Sequence, residues 1–560
     1  MFLSWIGGLI LKNGGLLAAI ESEVDRQFEG NPILKLPLIE LFYLIANTGS
    51  LRLVENSGEL PFLFSPFTFV FEKMEDVDFY PVSDLVKNWQ KIDLHDFNSL
   101  MQCANLNIVF PHLHRGIYTF EVESEDHVSI CYKSDKIKRF EHLDIILSNL
   151  SLPTIRNSTK HQKEFVRSII PRLKRKEMVQ PLMCKSYIKK VYADSQIKFS
   201  EAGLVSDDFF CDLGFFSKCD FQSIRDAFCA IFEVYNDAIR YTYRFLEGND
   251  LFGTEFEDKL YAPLPLAAVP EDYLKRLILE VSKCSEESYE IFSKLFFTPA
   301  GELGGCSRTH FPPLVNFNGN VVFFSGISIG LMSTRNLISR LIEGQHKLND
   351  VSFDSVLSKH LEPALIERAC IQFLENGYQV LPNKKTFDSE VDLLVYCERS
   401  DTCLVIQAKA PIYPDSARNL SSIDGRVREA CEQVLRFRSL SESKKLAVVK
   451  SAFPQVKVAG APDFIYGILV NGSFGSYKSW EKMESEGVIP INCNILRNTL
   501  VHGSDLSQLG GRVLEYFERL LKLEVETPKT INFQIGKYTI TQYTSDFDQR
   551  HLFESEYRGE

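Results

Sequence analysis

Two short apolar runs restrict this chain more than any other feature: EVDLLVY at 390–396 and CLVIQAKA at 403–410, joined by the polar connector 397–402. Each has the length and branched-residue content of a strand and is bounded by turn formers, so the pair reads as a β-hairpin. Alternate residues of a strand share a face. Glu390, Asp392 and Leu394 therefore stand together on the first strand, and Val405, Gln407 and Lys409 on the second. Polar groups inside apolar strands are costly unless they are paired or coordinate something. A carboxylate, an amide oxygen and an ammonium on adjacent strands suit a metal-assisted hydrolytic site. Asp392 and the Gln407 side-chain oxygen can ligate Mg²⁺, a hard ion that prefers oxygen, and the Ala408 backbone carbonyl can add a third protein ligand. Lys409 can orient the attacking water and stabilise charge developing on a phosphate.

Upstream, residues 363–380 read as a helix that opens at Pro363, closes at Gly377 and feeds a strand. Glu367 has Ala364, Cys370, Ile371 and Leu374 as helical neighbours. This spacing makes it the acid on the apolar face, unlike Glu362 or Glu375. The order helix-Glu, strand-Asp, strand-Gln-x-Lys resembles the PD-(D/E)xK nuclease superfamily, in particular its Mrr-like restriction-endonuclease branch, where Gln often replaces the acid of the second motif. The resemblance covers residues 351–525 only. It implies an α/β domain with a mixed central β-sheet flanked by helices, restriction-endonuclease-like in fold. It also implies phosphodiester hydrolysis with Mg²⁺, for which Mn²⁺ can substitute. Glu367, Asp392, Gln407 and Lys409 would be catalytic, and Asp392, Gln407 and Ala408 would hold the metal. DNA is the implied substrate, with RNA left open, and restriction or defence against foreign DNA the implied setting. Two departures stand out: the Pro that commonly precedes the Asp is absent, and Gln407 is neutral, so ion binding leans on substrate phosphates. The rival readings are a solvent-facing hairpin and a catalytically inactive nuclease fold that serves as a nucleic-acid-binding or scaffold subunit.

The remaining 350 N-terminal positions carry no motif of comparable content. A chain of 560 residues with 45% hydrophobic and 24% charged residues has room for several globular domains. We divide it into an α+β region, largely helical, at 1–200; a mainly helical region at 201–350; the nuclease-like domain at 351–525; and a tail at 526–560. Net charge is -12, so nucleic-acid contact has to come from local basic surfaces. One candidate is 156–190, with Arg172, Lys174, Arg175 and Lys176, whose alternative is a solvated helix face. The other follows the hairpin: Arg418 in a loop at 411–424, then Arg426, Arg428, Arg436 and Arg438 on a helix from Gly425. Gln433 with Phe437 is a weak echo of a Gln-x-x-x-Tyr motif.

Thirteen Cys without zinc spacing favour reduced thiols and a cytoplasmic setting. The apolar start, 1–20, lacks a basic leader and reads as a buried or partner-binding helix, making the N-terminal region the expected contact for a protein partner or a second copy; no membrane association is expected. Strand-like stretches are expected at 62–71 and 108–122, with His112 and His114 in a surface loop. Core helices are expected at 33–46, 221–245, 270–297 and 329–342. Asn318-Gly319 marks a tight hairpin at 314–324. Further strands are expected at 463–470 and 488–495, and an edge strand at 537–541. No nucleotide-binding fingerprint is present.

Overall fold

The computed structural model describes residues 2–37, 40, 93–150, 159–175, 181–198, 207–212, 217–249, 266–302, 313–324, 332, 337, 357–386, 390–411, 417–455, 462–523 and 525–548. The chain begins with α1 (Phe2–Glu29), α2 (Leu94–His114), β1 (Tyr118–Val122), β2 (His127–Tyr132), α3 (Asp135–Leu150), α4 (Thr159–Lys174), α5 (Lys185–Lys198) and α6 (Asp207–Asp212). Next come α7 (Lys218–Glu247), β3 (Leu266–Pro270), α8 (Glu271–Ser282), α9 (Glu286–Phe296), β4 (Phe297–Pro299), β5 (Leu314–Phe317) and β6 (Asn320–Phe324). Then follow α10 (Glu362–Glu375), β7 (Gln379–Lys385), β8 (Glu390–Cys397), β9 (Thr402–Lys409), α11 (Ala417–Arg438) and α12 (Glu442–Ala452). The chain continues through β10 (Asp463–Val470), α13 (Tyr477–Ser485), β11 (Ile489–Ile491), α14 (Cys493–Thr499), α15 (Leu509–Leu523), β12 (Val525–Ile535) and β13 (Tyr538–Asp548).

The architecture is mixed α/β, with three sheets. The sheet that carries the candidate site has five strands in the order β11-β10-β9-β8-β7. β7, β8 and β9 are antiparallel neighbours, whereas β9, β10 and β11 run parallel. Each parallel step is crossed by helices, α11 and α12 before β10 and α13 before β11, as parallel pairing requires. β9 is buried from Thr402 through Ala408 without alternation, which means that both faces of the sheet are covered. α10 packs on β7, β8 and β9, and α11 on β9 and β10.

α10 ends as expected. Gly377 takes φ +82°, its N–H bonds to the Leu374 carbonyl, and the Tyr378 N–H reaches back to Phe373. This Schellman closure brings the rings of Tyr378 and Phe373 to 6.0 Å. The Asn318-Gly319 hairpin also forms, with both residues at positive φ and Phe317 opposite Asn320. α7 is buried nearly all round, and Phe221, Phe228 and Phe232 stack into the middle region's core. That core is continuous with the core of the five-stranded sheet.

Several expectations give way. Residues 108–114 are the last turns of α2, not a strand, so His112 and His114 are helical rather than in a surface loop. The His112 ring packs against Tyr118 at 5.8 Å, and His114 meets Glu21 at 2.6 Å. α11 starts at Ala417, inside the expected loop, because Leu420 and Ile423 continue the buried stripe of Val427, Cys431 and Val434. At 488–495 the strand stops at Ile491, where the Asn492 side chain accepts from the Ile495 N–H and caps α14. The largest revision concerns the tail: β12 and β13 form a long hairpin, and β13 pairs in parallel with β2, giving the order β1-β2-β13-β12. The chain's last described segment therefore completes the sheet of its first region. The expectations at 62–71 and most of 33–46 and 329–342 lie outside the described residues. Among the described residues no helix is long and apolar enough to cross a membrane, and no disulfide joins the described cysteines.

Candidate active site

Asp392 and Lys409 come to one end of the five-stranded sheet because β8 enters there while β9 and β10 leave. The β8–β9 ladder begins at Leu393↔Ile406, so Asp392 and Gln407 lie just beyond its first pair. On the other side, β7 pairs Pro382 with Leu393 and Lys384 with Val391, skipping Asn383, which sits at φ +53° opposite Asp392. The strands thus open around Asp392. Its carboxylate fills the gap: Asp392 Oδ2 accepts the Ala408 N–H at 2.7 Å. The N–H and C=O of a strand residue point to the same side, so the Ala408 carbonyl faces this gap too. Gln407, 2% exposed, donates its Nε2 to the Glu390 carbonyl at 2.7 Å. The amide is fixed by that bond, and Oε1 is the end left for a ligand.

Burial pushes the Asp392 carboxyl up to about 6; the Ala408 N–H and the Lys409 charge oppose this, and the Glu362 and Glu390 charges add to it. The Lys409 side chain is 12% exposed and lies 3.8 Å from Glu429 on α11, itself held by Gln433 Nε2 at 3.3 Å. Glu362 is the helix acid at this site. It is half-buried, and burial raises its carboxyl, opposed by the charges of Lys409 and Arg426 and by the Ala410 N–H. Glu367, the acid chosen from the sequence, is exposed instead. Its companions Ile371 and Leu374 are 48% and 57% exposed. The stripe that meets the sheet is Leu365, Ile366, Ala369 and Phe373, and Glu362 lies on its N-terminal extension. The sequence held two apolar stripes on this helix, and the three-residue step from Glu362 to the bulky Leu365 was the signal for the correct one.

The basic residues divide. Arg426 is half-buried and acts on Glu362, and Arg428 is exposed. Arg438 is structural: it donates to the Glu486 carbonyl at 2.8 Å and lies over Tyr466. Arg418 belongs to the first turn of α11, and its side chain lies outside the described residues, as does Lys176. Arg172, Lys174 and Arg175 are exposed at the end of α4, which packs on α5 and α7 rather than on the five-stranded sheet. Three lysines at the end of that basic segment are taken up internally, Lys185 and Lys189 by Glu280 and Lys190 by Glu164.

Among the described residues no group of three His, Cys, Asp or Glu side chains is placed to hold a metal ion. The donors at the β8–β9 opening are all oxygen: the Asp392 and Glu362 carboxylates, Gln407 Oε1 and the Ala408 carbonyl. That chemistry fits a hard divalent ion that keeps several waters, and the mutual repulsion of the two acids is the charge such an ion relieves. Compared with protein-family models, curated proteins and solved structures, the chain matches none.

Proposed function

We propose that this chain is a metal-dependent phosphodiesterase whose substrate is DNA, built on a restriction-endonuclease-like core at 357–523. The observation that carries this reading is the opening of β8 from β9 at Asp392, with Lys409 and Glu362 gathered on the same opening. A half-buried acid beside a largely buried ammonium on sheet strands has no packing purpose, and perturbed groups of this kind mark functional sites. In the proposed reaction Asp392, Gln407, the Ala408 carbonyl and Glu362 would hold Mg²⁺. When bound, the ion lowers the pKa of a coordinated water and neutralises phosphate charge. Lys409 Nζ, steadied by Glu429, would orient the attacking water and face the phosphate. Asp392 sheds its proton near pH 6 and is then a full anion at neutral pH. Arg426 and the exposed Arg428 contact the substrate backbone.

The test is cleavage of linear and circular DNA, and of RNA, with Mg²⁺ or Mn²⁺. Asp392→Ala and Lys409→Ala are each expected to lower the rate at least ~100-fold, and Glu367→Ala to leave it within about threefold of wild type. Equal inertness of all the proteins on every substrate, repeated in cell extract, would sink the enzyme reading. A second reading, a nuclease fold that binds without cutting, draws support from the neutral Gln407 and its tie to Glu390. It predicts nucleic-acid binding with no metal-dependent turnover.

A further inference from the structure

The opening at Asp392 has a basic flank that the arginines of α11 do not supply. β7 is an edge strand of the five-stranded sheet, and its last residues end beside Asp392. Lys385 there is paired with Glu390. Residues directly opposite on antiparallel strands share a face, as do residues two apart on one strand. Lys385 therefore stands on the sheet face of Glu390 and Asp392, which Gln407 and Lys409 continue on β9.

This strand end is not finished as ordinary sheet. Asn383 stands opposite Asp392 at φ +53° and makes no ladder pair there. A non-glycine residue in the left-handed region inside a strand is strained, and such strain gathers at binding and catalytic sites. α11 packs on β9 and β10, while on the β7 side Pro382, Asn383 and Lys385 are exposed. The charges are not spent on one another either. Lys409 goes to Glu429, and among the described residues neither Lys385 nor Glu390 has an ion-pair partner. An edge lysine can also discourage pairing between copies, but Pro382, lacking an N–H, already does so on this edge.

We propose that Lys385 is a phosphate-binding residue for a nucleic-acid strand lying across these strand ends, holding a phosphate beyond the one at Lys409, so that the substrate is a polynucleotide chain and not a small phosphodiester. The assignment rests on the proposed function. Lys385 and Lys409 lie two strands apart at about 4.8 Å per strand, so their Cα atoms are separated by at least ~10 Å. One nucleic-acid strand advances roughly 3.4 Å per nucleotide, and about three nucleotides cover that span. Glu390, on the strand between the two lysines, repels a phosphate from the middle and keeps the two anion positions apart. Exposed Arg428 on α11 adds a cation on the β10 side. The chain is then held on both sides of the bond to be cut. With a net charge of -12, the protein needs such local cations to bring a polyanion to this end of the sheet.

Two readouts separate this grip from the chemistry. The full chain is compared with Lys385→Ala, Lys385→Arg and, as a control for one lost charge, Lys294→Ala on α9. Binding of a fluorescent DNA duplex is measured with Ca²⁺ in place of Mg²⁺ over a series of salt concentrations. Cleavage of the same duplex with Mn²⁺ is set against hydrolysis of bis(p-nitrophenyl) phosphate, a diester too small to reach from Lys409 to Lys385. Lys385→Ala is expected to weaken binding about 5-fold or more and to lower the slope of log K against log salt by about 1. Its KM for the duplex should rise by the same factor with kcat within about twofold. Lys385→Arg should restore both, Lys294→Ala should match wild type, and the small diester should be hydrolysed equally by all four proteins. An unchanged duplex KM and salt slope in Lys385→Ala would overturn the grip and leave the phosphodiesterase reading standing. Equal losses on duplex and small diester would overturn it too, because the variant would then have damaged the site itself. If wild type binds but cuts nothing, the enzyme reading fails, and the salt slope alone decides the grip. A wild-type protein that neither binds nor cuts overturns both.

Discussion

Asp392 shows what a single half-buried acid does to stability. Its carboxyl titrates near 6 when folded and near 3.8 when not. Below about pH 4 both states are protonated and no penalty exists. Between 4 and 6 the unfolded chain ionises first and stability falls, and above 6 the full penalty stands, on the order of 3 kcal/mol without metal. Asp392→Asn is therefore expected to raise Tm above pH 6 in the presence of a chelator and to leave it unchanged below pH 4. If the opening holds an ion, Mg²⁺ should raise the wild-type Tm at pH 8, much less at pH 5, and not at all in Asp392→Asn. Thermal unfolding across pH checks all three. At this scale the sequence was informative where strand period alone decides a face, as for Asp392, Gln407 and Lys409. It misled at Glu367, because a helix with apolar residues on two stripes does not announce which one meets the sheet. The burial of Leu365, Ala369 and Phe373 decides that, and it depends on β7, β8 and β9 being in place. Glu362→Ala is accordingly expected to cost more cleavage than Glu367→Ala, in the same assay as the Lys409 variant.

Among the elements, the closure of α10 was legible because it is local chemistry. A glycine at φ +82° after a helix needs no tertiary information. Gly377→Ala should cost about 1 kcal/mol, and the new methyl would also press on His502 Cε1 at 3.4 Å; a lowered urea midpoint at unchanged slope is the expected readout. The Asn318-Gly319 turn was legible for the same reason. The start of α11 was not, because Ser421, Ser422 and Gly425 resemble a loop, and only the packing of Leu420 and Ile423 overrides their weak helix propensity. α14 was missed through an Asn that caps rather than continues a strand.

For the whole molecule, the division into successive domains read from the sequence follows chain order, whereas the sheets do not. Ile130 pairs with Gln542, a partnership no local pattern contains. Removing residues 525–560 should leave Val128 and Ile130, now fully buried, without the strand that covers their edge. We expect proteolysis of 118–132 to accelerate at least ~10-fold while the core at 357–523 stays resistant, which limited proteolysis with peptide mapping would show. The same pairing sets an order of events in the cell. A ribosome adds roughly 5–20 residues per second, so tens of seconds separate the emergence of β2 from that of β13. The five-stranded sheet has all its strands before β2 gains that neighbour. The region carrying α3 is thus completed last, and a newborn chain passes through an interval in which the five-stranded sheet is built while the sheet that precedes α3 still lacks its last two strands.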